Sequence, residues 1–143
     1  MELHLPPHLA DGIGPALAEL ASRYTLGVVS DTIFSPGRAL KQVLENYGLL
    51  HHFSAFAFSD EVGCSKPARG MFDAIAAQTG ADVSAIVHIG DRLTKDIDGP
   101  HAAGARGVLT TVVKRRDEVG DVPDATCHDY ANLPAIIDGL APA

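Results

Sequence analysis

The sequence predicts an α/β protein, a parallel sheet covered by helices on both faces in a three-layer α/β/α arrangement. Short β-rich runs alternate with amphipathic helical patterns from one end of the chain to the other, the signature of strand–helix–strand units. Helical patterns stop at Gly48, Gly80 and Gly104, where a left-handed residue commonly closes a helix. The 143 residues are 46% hydrophobic, ample for one core, so a single domain over residues 1–143 is expected.

Residues 10–22 place Ile13, Leu17 and Leu20 on one helical face. Tyr24–Ser30, YTLGVVS, is a β-rich run that breaks at Asp31. Pro36 suits the first turn of the next helix, which puts Leu40, Val43, Leu44 and Tyr47 at i, i+3, i+4, i+7 and ends at Gly48. Ala55–Phe58 is a second strand. Residues 68–79 form a third helix with Met71, Phe72 and Ile75 inward. Ala85–Ile89 is a third strand, ending at Gly90-Asp91, and Asp96–Ala103 is a helix stopped by Gly104. Gly107–Val113 is a fourth strand, and residues 114–124, charged and containing Gly and Pro, form a loop. Ala125–Cys127 is a short edge strand. The last helix, 131–140, presents Leu133, Ile136, Ile137 and Leu140 at helical spacing.

A net charge of −7 argues against nucleic acid and anionic membranes as partners, since both require clustered Lys and Arg. It leaves a phosphate substrate open, because a bound cation reverses the local field. Cys64 and Cys127 show no metal-ligand spacing. The N-terminal stretch MELHLPPHLADG has no basic region before an apolar run, so no signal peptide is read there. No apolar stretch reaches the ~20 residues a membrane helix needs. A reduced, cytoplasmic protein is expected.

Ligands of open parallel sheets bind beyond the carboxyl ends of the strands. That rule selects Ser30, Asp31 and Thr32 after the first strand, Ser59–Lys66 after the second, and Gly90–Asp96 after the third. A Ser at a strand end, a Lys followed by Pro in CSKPARGMF, and Gly-Asp followed by Asp in HIGDRLTKDIDG occur in that order. This arrangement resembles the haloacid-dehalogenase-like (HAD) hydrolase family, over about residues 8–140. The resemblance implies a Rossmann-like core and phosphate ester hydrolysis. It implies that Ser30 and Lys66 hold the phosphoryl group, with Asp31 and Thr32 beside them, and that Asp91 and Asp96 bind Mg²⁺. Ser30, Lys66 and Asp91 are thus the catalytic candidates, and a small phosphorylated molecule is the expected substrate.

The sequence departs from the family at its front. The family's first motif, DxDx(T/V), ends a central first strand and supplies the nucleophile. Residues 1–7, MELHLPP, contain no aspartate and resemble the end of a cap or linker. Asp96-Ile97-Asp98 is the only Asp-x-Asp, and it lacks a preceding apolar strand. The sheet is therefore expected to miss its usual first central strand, leaving two unpaired edges. The neighbouring strands could close together, Glu2–Leu5 could substitute, or chains could associate by strand or segment exchange; a homo-oligomer is expected. Three functional readings follow: a phosphatase with weak or rerouted activity, a non-catalytic phosphate- or metal-binding or oligomerising module, and a fragment of a longer phosphatase.

Plainer readings stand beside these. Ser30 fits an ordinary turn, Asp96 a helix N-cap, and Asp31 a turn-capping carboxylate in preference to a metal ligand or base. Asp60 and Glu61 read as surface charge, His51-His52 as the exit of the second helix, His88 as a satisfied core or semi-buried imidazole, and Cys64 as an inert thiol.

Overall fold

The computed structural model describes residues 12–31, 37–64, 66, 68–112 and 119–140. Helix α1 (Ile13–Ala21) leads by a short turn into strand β1 (Leu26–Ser30). Helix α2 (Gly37–Asn46) is followed by a 3₁₀ turn, Leu50–His52, and by strand β2 (Phe53–Phe58). A four-residue helix α3 (Ser59–Val62) precedes the long helix α4 (Arg69–Thr79). Strand β3 (Val87–Gly90), a π-helical turn (Thr94–Asp98), helix α5 (Gly99–Ala103) and strand β4 (Arg106–Thr110) come next. Strand β5 (Ala125–Cys127), a 3₁₀ turn (Tyr130–Asn132) and helix α6 (Leu133–Leu140) end the described chain.

Among the described residues every strand pairing is parallel, as the alternating pattern predicts. Two ladders result: β1 beside β2, and β3–β4–β5. Among the described residues no ladder joins β1 to β3. Instead both line a cavity of about 380 Å³ with Leu26, Ile75, Val87, Ile89 and Ile137 on its walls.

The main core packs α1 and α6 over the sheet through Leu17, Leu20, Val28, Val108, Leu133 and Ile137. On the other side Val29, Ala55 and Ala57 meet Met71 and Ile75 of α4. The inward face read for α4 is correct: Met71, Phe72 and Ile75 are buried. No helix among the described residues is long and apolar enough to cross a membrane.

Several boundaries differ from the sequence reading. β1 starts at Leu26, because the backbone N–H of Tyr24 still donates to Leu20 at the end of α1. β2 starts two residues earlier than AFAF, since Phe53 is itself buried and apolar. His51 and His52 belong to the turn entering β2, not to the exit of α2. β3 is shifted to Val87–Gly90 because Val83–Ala85 forms a 3₁₀ turn. β4 ends at Thr110, and residues 113–118 lie outside the described residues. Asp60 is not merely surface charge: its carboxylate accepts from the Gly37 backbone N–H and anchors the start of α2.

Candidate active site

The site grows from three strand ends that the parallel topology places at one rim. Ser30 closes β1 and is nearly buried. Its hydroxyl donates a long hydrogen bond, 3.5 Å, to the Asp31 carbonyl. Asp31 does more than cap a turn. Its Oδ1 accepts from the Lys66 backbone N–H at 2.9 Å, and its Oδ2 accepts from Lys95 Nζ at 2.9 Å. One carboxylate from the β1–β2 ladder thus holds the Lys66 loop and reaches a residue that follows β3.

Lys66 continues the link. Its Nζ donates to Asp96 Oδ1 at 2.6 Å, and the two side chains are 1% and 0% exposed. The Asp96 carboxylate also accepts from His88 Nε2 at 2.8 Å and from the Arg92 backbone N–H at 3.0 Å. A carboxylate can only accept here, so His88 carries its proton on Nε2. The ring stands edge-on to Phe72, centroids 5.4 Å apart.

Burial pushes the Asp96 carboxyl upward, but the hydrogen bond from His88 and the Lys66 ammonium outweigh it. They hold the group well below the usual carboxylate range. Burial has the opposite sign for a base. It drives the His88 imidazole down to about 4, against the upward pull of Asp96.

Asp91 follows β3 directly and is buried. The Gly90 beside it has a specific cause: a Cβ there would lie 2.1 Å from Asp96 Cγ. The Gly-Asp dipeptide therefore combines a buried carboxylate with the space into which Asp96 folds. Asp96 is no simple N-cap; it sits inside the π-helical turn, whose geometry turns its side chain back under Gly90.

The structure therefore links Ser30, Asp31, Lys66, Asp91 and Asp96 through direct contacts or adjacency at one rim. Thr32 lies outside the described residues. Two participants went unassigned in the sequence reading. His88 fits its core-imidazole reading but also orients Asp96. Lys95 reaches Asp31 and carried no signal beyond standing next to Asp96.

A divalent cation was tested against this donor set. Among the described residues no group of three or more His, Cys, Asp and Glu is placed to hold a metal. Asp91 offers the hard oxygen donor such an ion prefers. Asp96 is committed elsewhere, with Oδ1 held by Lys66 and His88 and Oδ2 by Arg92.

Comparison with known proteins accords with this arrangement. The HAD-hydrolase-like family model matches residues 63–133, the stretch containing Lys66, Asp91 and Asp96. Glyceraldehyde 3-phosphate phosphatase of Methanopyrus kandleri is 34% identical over 136 residues, covering 89% of this chain and 55% of the relative. The chain belongs to the haloacid-dehalogenase-like hydrolase superfamily. A 2-haloacid dehalogenase from Pseudomonas syringae shares the HAD fold with TM-score 0.79 and 26% identity, over 94% of this chain and 55% of that one. A HAD hydrolase from Bacillus subtilis, solved bound to magnesium, gives TM-score 0.80 at 21% identity, over 92% and 57%. The chain spans about half the length of these relatives.

Two outcomes follow for the HAD-like site. Gly90→Ala should lower unfolding stability by about 3 kcal/mol in urea titration, because backbone and Asp96 cannot both stay in place. The second concerns pH, measured with a chelator present. The unfolded histidine binds protons below pH 6.5 that folded His88 refuses until about 4. His88 therefore makes stability fall as pH drops through that window, by roughly 3 kcal/mol in total. His88→Gln, which keeps a donor for Asp96 but does not titrate, should remove this slope, read as the difference between the two stability profiles.

Proposed function

We propose that this chain performs Mg²⁺-dependent phosphate ester hydrolysis, with Ser30, Lys66 and Asp91 at its centre. The observation carrying the reading is the joining of three strand-end segments at one rim, with a hydroxyl, an ammonium and carboxylates brought together. Phosphatases among the relatives support the reaction class, and the magnesium-bound relative supports the metal.

In this reading the Ser30 hydroxyl and the Lys66 ammonium donate to phosphoryl oxygens and offset charge that grows in the transition state. Asp31 lines the same substrate end. Asp91 supplies the principal oxygen ligand for Mg²⁺, with Asp96 as a second carboxylate nearby, and the cation would polarise the phosphoryl group. Asp96 and His88 fix Lys66 in place. The reading uses direct attack by water. The water oxygen bonds to phosphorus and gives up a proton to solvent, while the ester P–O bond breaks, its electron pair leaves with the alkoxide, and that oxygen gains a proton from solvent. Such a route is weak, and activated esters of small molecules are its natural probes.

A binding module without turnover is the second reading. The closure of the charge network favours it, because Lys66 is buried against Asp96 rather than presented to solvent.

Hydrolysis of an activated phosphate ester, with and without Mg²⁺, separates the two. The enzymatic reading expects Mg²⁺-dependent turnover that Asp91→Asn abolishes and Ser30→Ala lowers about 100-fold, both variants keeping the far-UV circular dichroism of the parent. Turnover indifferent to Mg²⁺ and to both substitutions would refute it. Phosphate binding with no turnover would establish the second reading.

A further inference from the structure

His101 of α5 sits between two carboxylates of the segment that leads into β5. Its Nδ1 stands 3.1 Å from Asp121 Oδ2, and its Nε2 stands 2.8 Å from Asp124 Oδ2. An ionised carboxylate only accepts, and a neutral imidazole carries one N–H. Both contacts are therefore hydrogen bonds only when the ring holds two protons. Loss of one proton sets a ring lone pair against a carboxylate oxygen, and that contact turns repulsive.

What the two contacts fasten is residues 119–124. Asp124 is anchored independently: its Oδ2 also accepts from the Gly107 backbone N–H at 2.7 Å, and its own N–H donates to the Gly107 carbonyl at 2.9 Å. The Asp121 side chain is more exposed, 54% against 32% for Asp124, and its contact with the ring is the longer. The Asp121 backbone N–H donates to Asp98 Oδ1 at 2.7 Å. Gly120 beside it is seated closely: a Cβ there would lie 3.1 Å from Leu93 Cβ and from Asp98 Oδ1. Leu93 precedes, and Asp98 ends, the π-helical turn that carries Asp96.

We propose that His101 is a pH-sensitive clasp: as an imidazolium it holds Gly120 and Asp121 against the π-helical turn, and as a neutral ring it keeps Asp124 and lets Asp121 go. The clasp works whether or not the neighbouring rim hydrolyses phosphate. Asp121 and Asp124 face the ring, and Asp98 stands behind Asp121. Arg106 of β4 acts on Asp124. α4 brings Arg69, whose guanidinium bonds to the Ala103 carbonyl and to Asp73. In the π-helical turn Lys95 is paired with Asp31, and Asp96 with Lys66 and His88. Carboxylates thus dominate at the ring.

The hydrogen bond to Asp124, joined by that to Asp121, raises the imidazole above its usual 6.5 against the opposing effect of burial. Burial pushes the Asp124 carboxyl upward, but the Gly107 N–H and His101 outweigh it and hold the group below its usual range. The histidine contribution is complete below pH 6.5 and is lost as pH rises through the raised folded value. The Asp124 contribution is lost only as pH falls below the usual carboxylate range. The clasp is shut between these limits and opens on the alkaline side.

Nuclear magnetic resonance on the full-length chain tests it. The His101 ring should titrate at least about half a pH unit above the same ring in the chain unfolded by urea. As pH rises through that midpoint, protection of the Asp121 amide, corrected for the intrinsic pH dependence of exchange, should fall roughly fivefold. His101→Gln does not titrate, and its Asp121 protection should stay level over the same range. A ring titrating at or below its unfolded value, or Asp121 protection that stays level in the parent, would overturn the proposal, and both are read without the variant. The same fall in His101→Gln as in the parent would also overturn it.

Discussion

The ion pair between Lys66 and Asp96 is the contact on which the described architecture turns. Two sheets lie side by side, and no described ladder joins them. Besides the apolar core they share beneath α1 and α6, charge crosses between them: Lys66 to Asp96 in the interior, and Asp31 to Lys95 nearer the surface. Burying an ion pair costs several kcal/mol per ion unless every remaining lone pair and proton finds a partner. Asp96 meets that condition with donors from Lys66, His88 and the Arg92 backbone. Gly90 meets the steric one, by leaving room for the carboxylate. Residues that look scattered in sequence are thus requirements of one buried charge.

The same arrangement explains why the candidate groups meet at one rim. Parallel strands deliver their carboxyl ends to one side, so the loops carrying Ser30, Lys66 and Asp91 converge without dedicated machinery. The interior network then decides how each group behaves. Lys66 is held in place by Asp96, which is itself fixed by His88 and the Arg92 backbone. His88, kept neutral by burial, can serve Asp96 as a donor without adding a second positive charge beside Lys66.

Much of this was legible in the sequence, for identifiable reasons. The faces of α4 and α6 were readable because Met71, Phe72 and Ile75, and Leu133 and Ile137, recur at helical spacing. That Ser30, Lys66 and Asp91 come to one rim was readable because each follows a strand pattern and parallel strands deliver those ends to one side. The roles of Asp31 and Lys95 were not, because each depends on a partner 35 or 64 positions away, and local pattern carries no such information. The plainer reading of Asp96 as an N-cap missed its place because a π-helical turn has no distinctive composition. The strand starts at Leu26 and Phe53 were misplaced because burial outside the apolar run depends on what packs above it.

The claim that Lys66 and Asp96 act as one buried unit between the sheets is tested most directly by a double-mutant cycle. Unfolding free energies would be measured by urea denaturation for the parent, Lys66→Met, Asp96→Asn and the double variant. The account predicts that each single change costs about 3 kcal/mol or more, because it strands a buried charge, and that the double variant recovers at least about 2 kcal/mol of their sum. Additive losses, with no recovery when both charges are removed, would contradict it.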